Sequence, residues 1–253
     1  MNKTTILSDK EYQLAFDIMR KTSIHEKHVF KNFRDNIAAN INVKKLFLDI
    51  GAGPGKITKQ ISPLFKNTTV IEPNENYYST YDVLKWDLIT SDFLKSSFSS
   101  KFDFILCSHV MYNMTNKYME EFILKINGLL NTNGICLIAI EAPSGDSYKM
   151  LKHFNSKYKA SDEIKDLLEK NNITFEKKTK PNSFYSSSFS DFFALCKFLV
   201  YENVSFDKLS NNLNKEYFDE LNEEIKKIAL SYKRDSLYKL SQDEDHFIIK
   251  KTA

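Results

Sequence analysis

The chain has 253 residues, 42% hydrophobic and 27% charged, with 36 Lys and Arg against 33 Asp and Glu. A length of this order fits one large domain or a domain carrying an insertion. The net charge of +3 is spread over short pairs such as Lys44-Lys45 and Lys177-Lys178, so a basic stripe for nucleic acid is excluded. The three cysteines, Cys107, Cys136 and Cys196, lie in apolar runs without CxxC spacing, which excludes a disulfide framework and a structural zinc site.

In chain order, residues 9–40 carry apolar positions near helical spacing, interrupted at 21–27 by a segment with His25 and Glu26, with His28 just after it. From residue 44 the pattern changes. Leu46-Phe47-Leu48-Asp49-Ile50 is a short apolar run stopped by glycines, as expected of a buried parallel strand. A helix over 56–65 follows, then a strand over 68–72 ended by Pro73, a helix over 74–84, and short strands over 86–89 and 102–107. An amphipathic helix over 117–130 is closed by Asn131-Thr132-Asn133-Gly134, and a strand follows over 135–140. Strands alternating with helices predict an α/β fold: a Rossmann-like parallel sheet with helices on both faces. The last strand is expected over 246–250, with another over 173–178 beside it. Between them, 181–240 reads as a helical insertion with helices over 191–201 and 217–230, and the Ser-rich stretch 183–190 reads as a loop. The expected organisation is a single domain: an N-terminal helical cap (1–43), a ligand-binding core (44–180), the insertion (181–240) and the final strand (241–253).

The motif with most chemical content is Asp49-Ile50-Gly51-Ala52-Gly53-Pro54-Gly55. A strand feeds a tight turn in which Gly51, Gly53 and Gly55 permit positive φ and close approach of a ligand. The turn opens a helix, so a ligand would sit at the carboxyl end of the first strand. The spacing is G-x-G-x-G, one residue shorter than the dinucleotide fingerprint, and an acid precedes it. A dinucleotide presents two phosphates there; Asp49 suits a ligand that ends in an ammonium. Glu72 follows the glycines by about 20 residues at the end of the second strand, where a carboxylate can accept both ribose hydroxyls; Pro73 is next to it. Ser91-Asp92-Phe93 after the third strand supplies an acid for an adenine amino group and an aromatic ring to stack on it. Ser108-His109-Val110-Met111-Tyr112 follows the fourth strand, at the carboxyl edge where ligands bind in such sheets.

Together these elements resemble the class I methyltransferases, and more narrowly the histamine N-methyltransferase family. The likeness runs through Ser23-Ile24-His25-Glu26, the 49–55 loop, Val70-Ile71-Glu72-Pro73, Phe102-Asp103-Phe104-Ile105, His109-Val110-Met111-Tyr112, Ser144-Gly145 and Phe247-Ile248-Ile249. It implies S-adenosylmethionine as cofactor, held by Asp49, Gly51, Gly53, Gly55, Glu72, Pro73, Ser91, Asp92, Phe93, Ser108 and His109. It implies a small-molecule acceptor and no metal. The family's amine-binding Glu falls at Glu26, while its Gln falls at His109 and its Asn at Asp243. Pro54 and Lys56 also replace the family's usual residues. These departures point to an acceptor whose charge pattern differs from histamine's.

The expected catalytic residues are therefore Glu26, His109 and Asp243. Glu26, Tyr112, Phe184, Tyr185 and Asp243 are expected to hold the acceptor, with Phe184 and Tyr185 as parts of a lid. N-methylation of an amine or amino-acid-like molecule is the leading reading; O-, C- or S-methylation of a small molecule, RNA or protein methylation, and non-catalytic cofactor binding are the alternatives. RNA enzymes of this fold often carry Asn/Asp-Pro-Pro-aromatic after the fourth strand, where this chain has Ser108-His109-Val110-Met111. No run of about 18 apolar residues exists to span a membrane, and the first ten residues lack a signal-peptide apolar stretch. A cytoplasmic location is expected.

Overall fold

The structure is a computed structural model that describes residues 9–112, 114–203 and 215–252. Chain contacts divide it into two compact units. One comprises His25–Ala142, Lys159–Lys180 and Glu244–Ala253; the other comprises Met1–Ile24, Pro143–Tyr158 and Pro181–Asp243.

The first unit is built on seven strands: β1 (Leu46–Ile50), β2 (Asn67–Ile71), β3 (Asp87–Ile89), β4 (Phe102–Ser108), β5 (Leu130–Glu141), β6 (Phe175–Lys180) and β10 (Glu244–Lys250). Their order across the sheet is β3-β2-β1-β4-β5-β10-β6. All run parallel except β10, which is antiparallel to β5 and β6. The central strands are buried on both faces, which is why they read as unbroken apolar runs. Alternate residues divide between two cores. Leu48, Ile105, Cys107, Cys136 and Ile138 face one side, packed with Phe122, Ile123 and Ile126 of α5 (Asn116–Leu129) and Ile164 and Leu168 of α7 (Ser161–Lys170). Phe47, Phe104, Leu106 and Leu137 face the other, packed with Val29 of α2 (His25–Asn32) and Ile61 of α3 (Lys56–Ile61). The Phe33, Phe47, Phe65 and Phe104 rings fill that second layer, with centroids 4.8–6.3 Å apart. α4 (Tyr78–Leu84) joins β2 to β3.

Apart from the start of β5, the pattern-based expectations for these strands hold within a residue or two, and β6 does lie beside β10. Two details differ. After α5 ends at Leu129 the chain is already extended at Leu130; residues 131–134 bulge from β5, with Asn133 at φ +64° and its N–H donated to the Lys251 carbonyl at 2.8 Å. β10 begins at Glu244, two residues before the expected start, because Glu244 and Asp245 pair with Glu141 and Ile140.

The second unit packs α1 (Asp9–Thr22), α6 (Gly145–Phe154), α8 (Phe189–Asn203) and α9 (Lys215–Ser231) with a small antiparallel sheet of β7 (Ser183–Ser186), β8 (Lys233–Arg234) and β9 (Leu237–Ser241), in the order β7-β9-β8. Its core holds Ile18, Leu151, Phe192, Leu195, Cys196, Ile225 and Leu240. The stretch 183–190, expected as a loop, is a strand leading into a helix. Alternation explains the correction: Phe184 points into the core at 2% exposure, whereas Tyr185 points out at 43%. The serines hid a two-residue period. Phe184 is a packing residue, and its ring offers no lid surface. Among the described residues no helix is long and apolar enough to cross a membrane.

Candidate active site

Parallel register sets the ends of neighbouring strands level. Ile50 pairs with both Ile71 and Cys107, so the turns after β1, β2 and β4 open on one edge of the sheet. The Gly51 N–H donates to the Ile71 carbonyl at 2.8 Å, and the chain then passes through Gly51, Gly53 and Gly55 at φ +73°, +54° and +70°. Space as well as φ demands glycine at two of these positions. A Cβ on Gly51 would lie 2.5 Å from Val110 Cγ2, and one on Gly55 would lie 2.9 Å from the Trp86 ring. Gly53 has open space on that side.

Two carboxylates frame the turn. Glu72 is buried; its Oε2 accepts the Gly53 N–H at 2.8 Å and its Oε1 accepts the Asn74 N–H at 2.9 Å. One backbone bond per oxygen leaves further acceptor capacity on each. Asp49 is also buried and accepts the Thr58 hydroxyl at 2.5 Å. Burial raises its pKa to about 7; the Thr58 hydrogen bond works against that rise and the Glu72 charge adds to it. The Tyr81 hydroxyl donates to the Gly53 carbonyl and fixes the loop from below.

The third expected element is only partly as read. Asp92 is exposed; it accepts the Leu94 N–H at 2.9 Å and the Tyr118 hydroxyl at 2.5 Å. Ser91 pairs with Ser96 at 2.9 Å, and Pro73 is exposed. The Phe93 ring, expected to stack on adenine, is 3% exposed and lies 4.5 Å from the Phe122 ring. It belongs to the core and has no free face.

Beside the glycine turn, at the end of β4, the chain carries Ser108 and His109. His109 has φ +54°, a conformation uncommon outside glycine and found at functional sites, and its N–H donates to the Ala139 carbonyl at 2.8 Å. Its ring meets two residues that pattern reasoning did not single out. His25 opens α2, and Glu244 opens β10. Because β10 is antiparallel, its first residue arrives at the edge where the parallel strands end. His25 Nδ1 lies 2.9 Å from Glu244 Oε2 and 3.2 Å from His109 Nε2; His109 Nε2 lies 3.5 Å from Glu244 Oε1. The outward nitrogens are also engaged, His25 Nε2 with Ser108 Oγ at 2.7 Å and His109 Nδ1 with the Tyr112 hydroxyl at 2.6 Å. Glu141 donates its N–H to that same hydroxyl at 3.2 Å, and burial drives the Tyr112 pKa well above its ordinary value.

Glu244 is fully buried. Burial alone would raise its pKa, but the imidazoles of His109, His246 and His25 against it outweigh that and hold the carboxyl well below the usual carboxylate range. Burial lowers the pKa of His25, and the neighbouring His109 lowers it further. His246 is held by Asn32, whose amide lies 3.0 Å from its Nδ1.

The remaining expected residues are distributed differently. Tyr112 joins the histidine cluster. Glu26 lies in the first turn of α2 with its carboxylate 3.3 Å from Lys56 Nζ, just past the glycine turn. Asp243 belongs to the second unit, where it accepts the Ser144 hydroxyl at 2.9 Å. Tyr185 is in that unit too, its N–H donated to Thr22 Oγ1 at 3.4 Å. The two missed residues, His25 and Glu244, are the immediate neighbours of Glu26 and Asp243. The sequence signals were a histidine within the 23–26 motif and an acid at the start of the final apolar run.

A seven-stranded sheet with one antiparallel strand, a glycine turn after β1 and acids at the ends of β1 and β2 define a class of group-transfer enzyme. Residues 24–194 match the family described as "Methyltransferase domain". The chain belongs to that family, and with it to the enzymes that use S-adenosylmethionine as methyl donor. Solved structures share the fold. The N-methyltransferase NodS from Bradyrhizobium japonicum WM9 is 14% identical with a TM-score of 0.50, over 88% of this chain and 97% of that one. The cyclopropane synthase MmaA2 from Mycobacterium tuberculosis is 11% identical with a TM-score of 0.54, over 97% and 95%. Phosphoethanolamine N-methyltransferase 2 from Haemonchus contortus, solved with S-adenosyl-L-methionine, is 17% identical with a TM-score of 0.54, over 100% of this chain and 59% of that one. No curated protein sequence matches. The family match is to the methyltransferase domain as a class and does not single out the histamine N-methyltransferases.

Proposed function

We propose that this protein methylates a nitrogen of a small amine or amino-acid-like acceptor in the cytoplasm, within the broader likeness to the histamine N-methyltransferases. The observation that carries the reading is the pair of imidazoles, His25 and His109, beside the Glu244 carboxylate at the strand edge that also bears the glycine turn. An amine must lose its proton before it can attack, and an acid–base group needs to be within hydrogen-bond reach of that proton.

The residues of the turn fit S-adenosylmethionine. Gly53 faces open space, Glu72 keeps acceptor capacity for ribose hydroxyls, and Asp49 supplies an acid for an ammonium. When bound, the cofactor supplies an electrophilic methyl group on a sulfonium, with a neutral thioether as leaving group. The protein's contribution is orientation, worth about 7–11 kcal/mol in favourable cases, and removal of the acceptor's proton. His109 would take that proton. In the sheet unit, Glu26 would recognise the cationic form of the acceptor, with Tyr112 along its path. Ser91 and Asp92 would reach the adenine, and Ser108 would border the transferred methyl.

Titration calorimetry with S-adenosylmethionine and, separately, NAD tests the cofactor reading; micromolar binding of the former alone is expected. A screen of biogenic amines and amino-acid derivatives with methyl-labelled cofactor then tests the acceptor. Label on oxygen, carbon or sulfur instead of nitrogen would replace the N-methylation reading. Glu26→Gln is expected to raise KM or lower kcat at least severalfold; unchanged kinetics would remove Glu26 from the site.

A further inference from the structure

We propose that His25, His109 and Glu244 form a binding site for a divalent first-row transition ion of the zinc type, with coordination positions left open. The inference rests on the geometry of the three side chains and does not depend on which acceptor is methylated. It departs from the sequence expectation that no metal is involved.

The ligand-type atoms of three side chains converge although they come from residues 25, 109 and 244. His25 Nδ1, His109 Nε2 and the Glu244 carboxylate oxygens are separated by 2.9, 3.2 and 3.5 Å. Ligands about 2.0–2.1 Å from one zinc ion stand about 3.3–3.4 Å apart in tetrahedral geometry and about 2.9 Å apart on adjacent octahedral positions. The His25–His109 and His25–Glu244 separations fall in that range, and His109 Nε2 lies 3.5 Å from the second carboxylate oxygen, just beyond it. Among the described residues this is the group of three whose ligand atoms lie together in this way.

The surroundings are those of a metal site. A ligating histidine commonly has its second nitrogen fixed by an outer partner, which sets the tautomer and the ring plane. His25 has Ser108 there at 2.7 Å, and His109 has Tyr112 at 2.6 Å. A hydroxyl can accept as well as donate, so both rings can keep their proton on the outward nitrogen and turn a lone pair inward. Glu244 is backed by His246, whose Nε2 is 3.6 Å from Oε2 and whose Nδ1 is held by Asn32. The positive φ of His109 turns its ring toward the other two, a backbone cost that a required ligand position explains.

Charge favours a cation at this point. Buried carboxylates are found paired or coordinating metals. Two imidazole nitrogens 3.2 Å apart both face this carboxylate. One divalent ion would compensate the carboxylate and use both lone pairs. Two imidazoles and one carboxylate suit zinc, cobalt, iron or nickel and not magnesium, which demands oxygen ligands. The histidine side chains are 15% and 27% exposed, so one side of the triangle stays open for water or an oxygen or nitrogen donor of a ligand. Ion and proton compete for the same nitrogens, so the loaded cluster would ligate and the unloaded one would accept protons.

The test uses full-length, untagged protein stripped with a chelator. Calorimetric titration with Zn²⁺ should give one ion per chain, and Co²⁺ should give visible d–d absorption with the same stoichiometry. Millimolar Mg²⁺ should not compete. His109→Ala and His25→Ala should each weaken Zn²⁺ binding about 100-fold or more, beyond the 10–100-fold typical of outer-shell losses, and Glu244→Gln should do the same if it folds. His153→Ala, at an exposed residue paired with Glu224 at 2.7 Å in the other unit, should leave Zn²⁺ binding unchanged. Circular dichroism and a cooperative thermal transition check that each variant is folded, and S-adenosylmethionine affinity of the unaltered protein, measured separately, reports on the cofactor reading. Absence of stoichiometric Zn²⁺ binding, or equal binding in folded His109→Ala and His25→Ala variants, would overturn the site and leave a hydrogen-bonded polar cluster.

Discussion

Glu72 Oε2 accepts the backbone N–H of Gly53 at 2.8 Å, joining the end of the second strand to the middle of the glycine turn. One carboxylate therefore shapes the loop and remains available to a ligand hydroxyl. Removing it as Glu72→Ala breaks a charge-assisted hydrogen bond and removes the ribose acceptor. Such bonds are worth about 1.5–3 kcal/mol, so S-adenosylmethionine affinity should fall roughly 10- to 150-fold. Calorimetry measures this, and affinity within twofold of wild type would show that Glu72 only shapes the loop.

Gly51→Ala meets two obstacles at once. Its φ of +73° costs a side-chain-bearing residue about 1–2 kcal/mol, and the new Cβ would sit 2.5 Å from Val110 Cγ2. A lower melting temperature and lost cofactor binding are expected. Adding Val110→Ala removes the nearest atom and should restore part of the stability, leaving the backbone strain. A double-mutant cycle reads that coupling; strict additivity would show that the contact is not felt.

Asp49 sets a pH dependence. Its folded-state pKa, raised to about 7 chiefly by burial, lies above the ordinary 3.8. Folding then takes up a proton between those values, so the stabilising contribution is complete below about pH 4 and is lost as pH rises through about 7. Denaturant unfolding of wild type, compared with Asp49→Asn over pH 5 to 8, should show wild type losing stability relative to the variant by up to about 1.4 kcal/mol per pH unit in the lower part of that range. Parallel curves would place the Asp49 pKa near its ordinary value.

Phe184→Ala should behave as a core deletion. The side chain packs with Phe192, Leu195 and Leu240, so the loss is expected at about 3–5 kcal/mol in unfolding free energy. For the fraction that stays folded, cofactor affinity should be unchanged. A variant with wild-type stability and a raised acceptor KM would restore the lid reading that its burial argues against.

The legible part of the site was the part written in short-range signals. The 49–55 turn and Glu72 are each fixed by a strand, its end and the residue types at that end, and the structure brings them together as read. The cluster at His109 was legible only in part. Glu26 and Asp243 were marked by resemblance, while their neighbours His25 and Glu244 form the triangle. A shift of one residue changes the face on which a side chain lies, because strand side chains alternate and helix side chains turn by 100° per residue. The Phe184 and Phe93 assignments failed for a related reason: an aromatic beside polar residues reads as exposed until its packing partners are known.

By itself the sequence determined the alternating α/β order, the buried central strands and the glycine turn, since apolar periodicity, glycine φ and strand ends act over a few residues. Tertiary structure decided what meets across the sheet. The antiparallel course of β10 carries Glu244 to the edge where β4 delivers His109, and α2 brings His25 to both. No local pattern encodes those encounters, because they are set by strand order and direction among residues at least 84 positions apart.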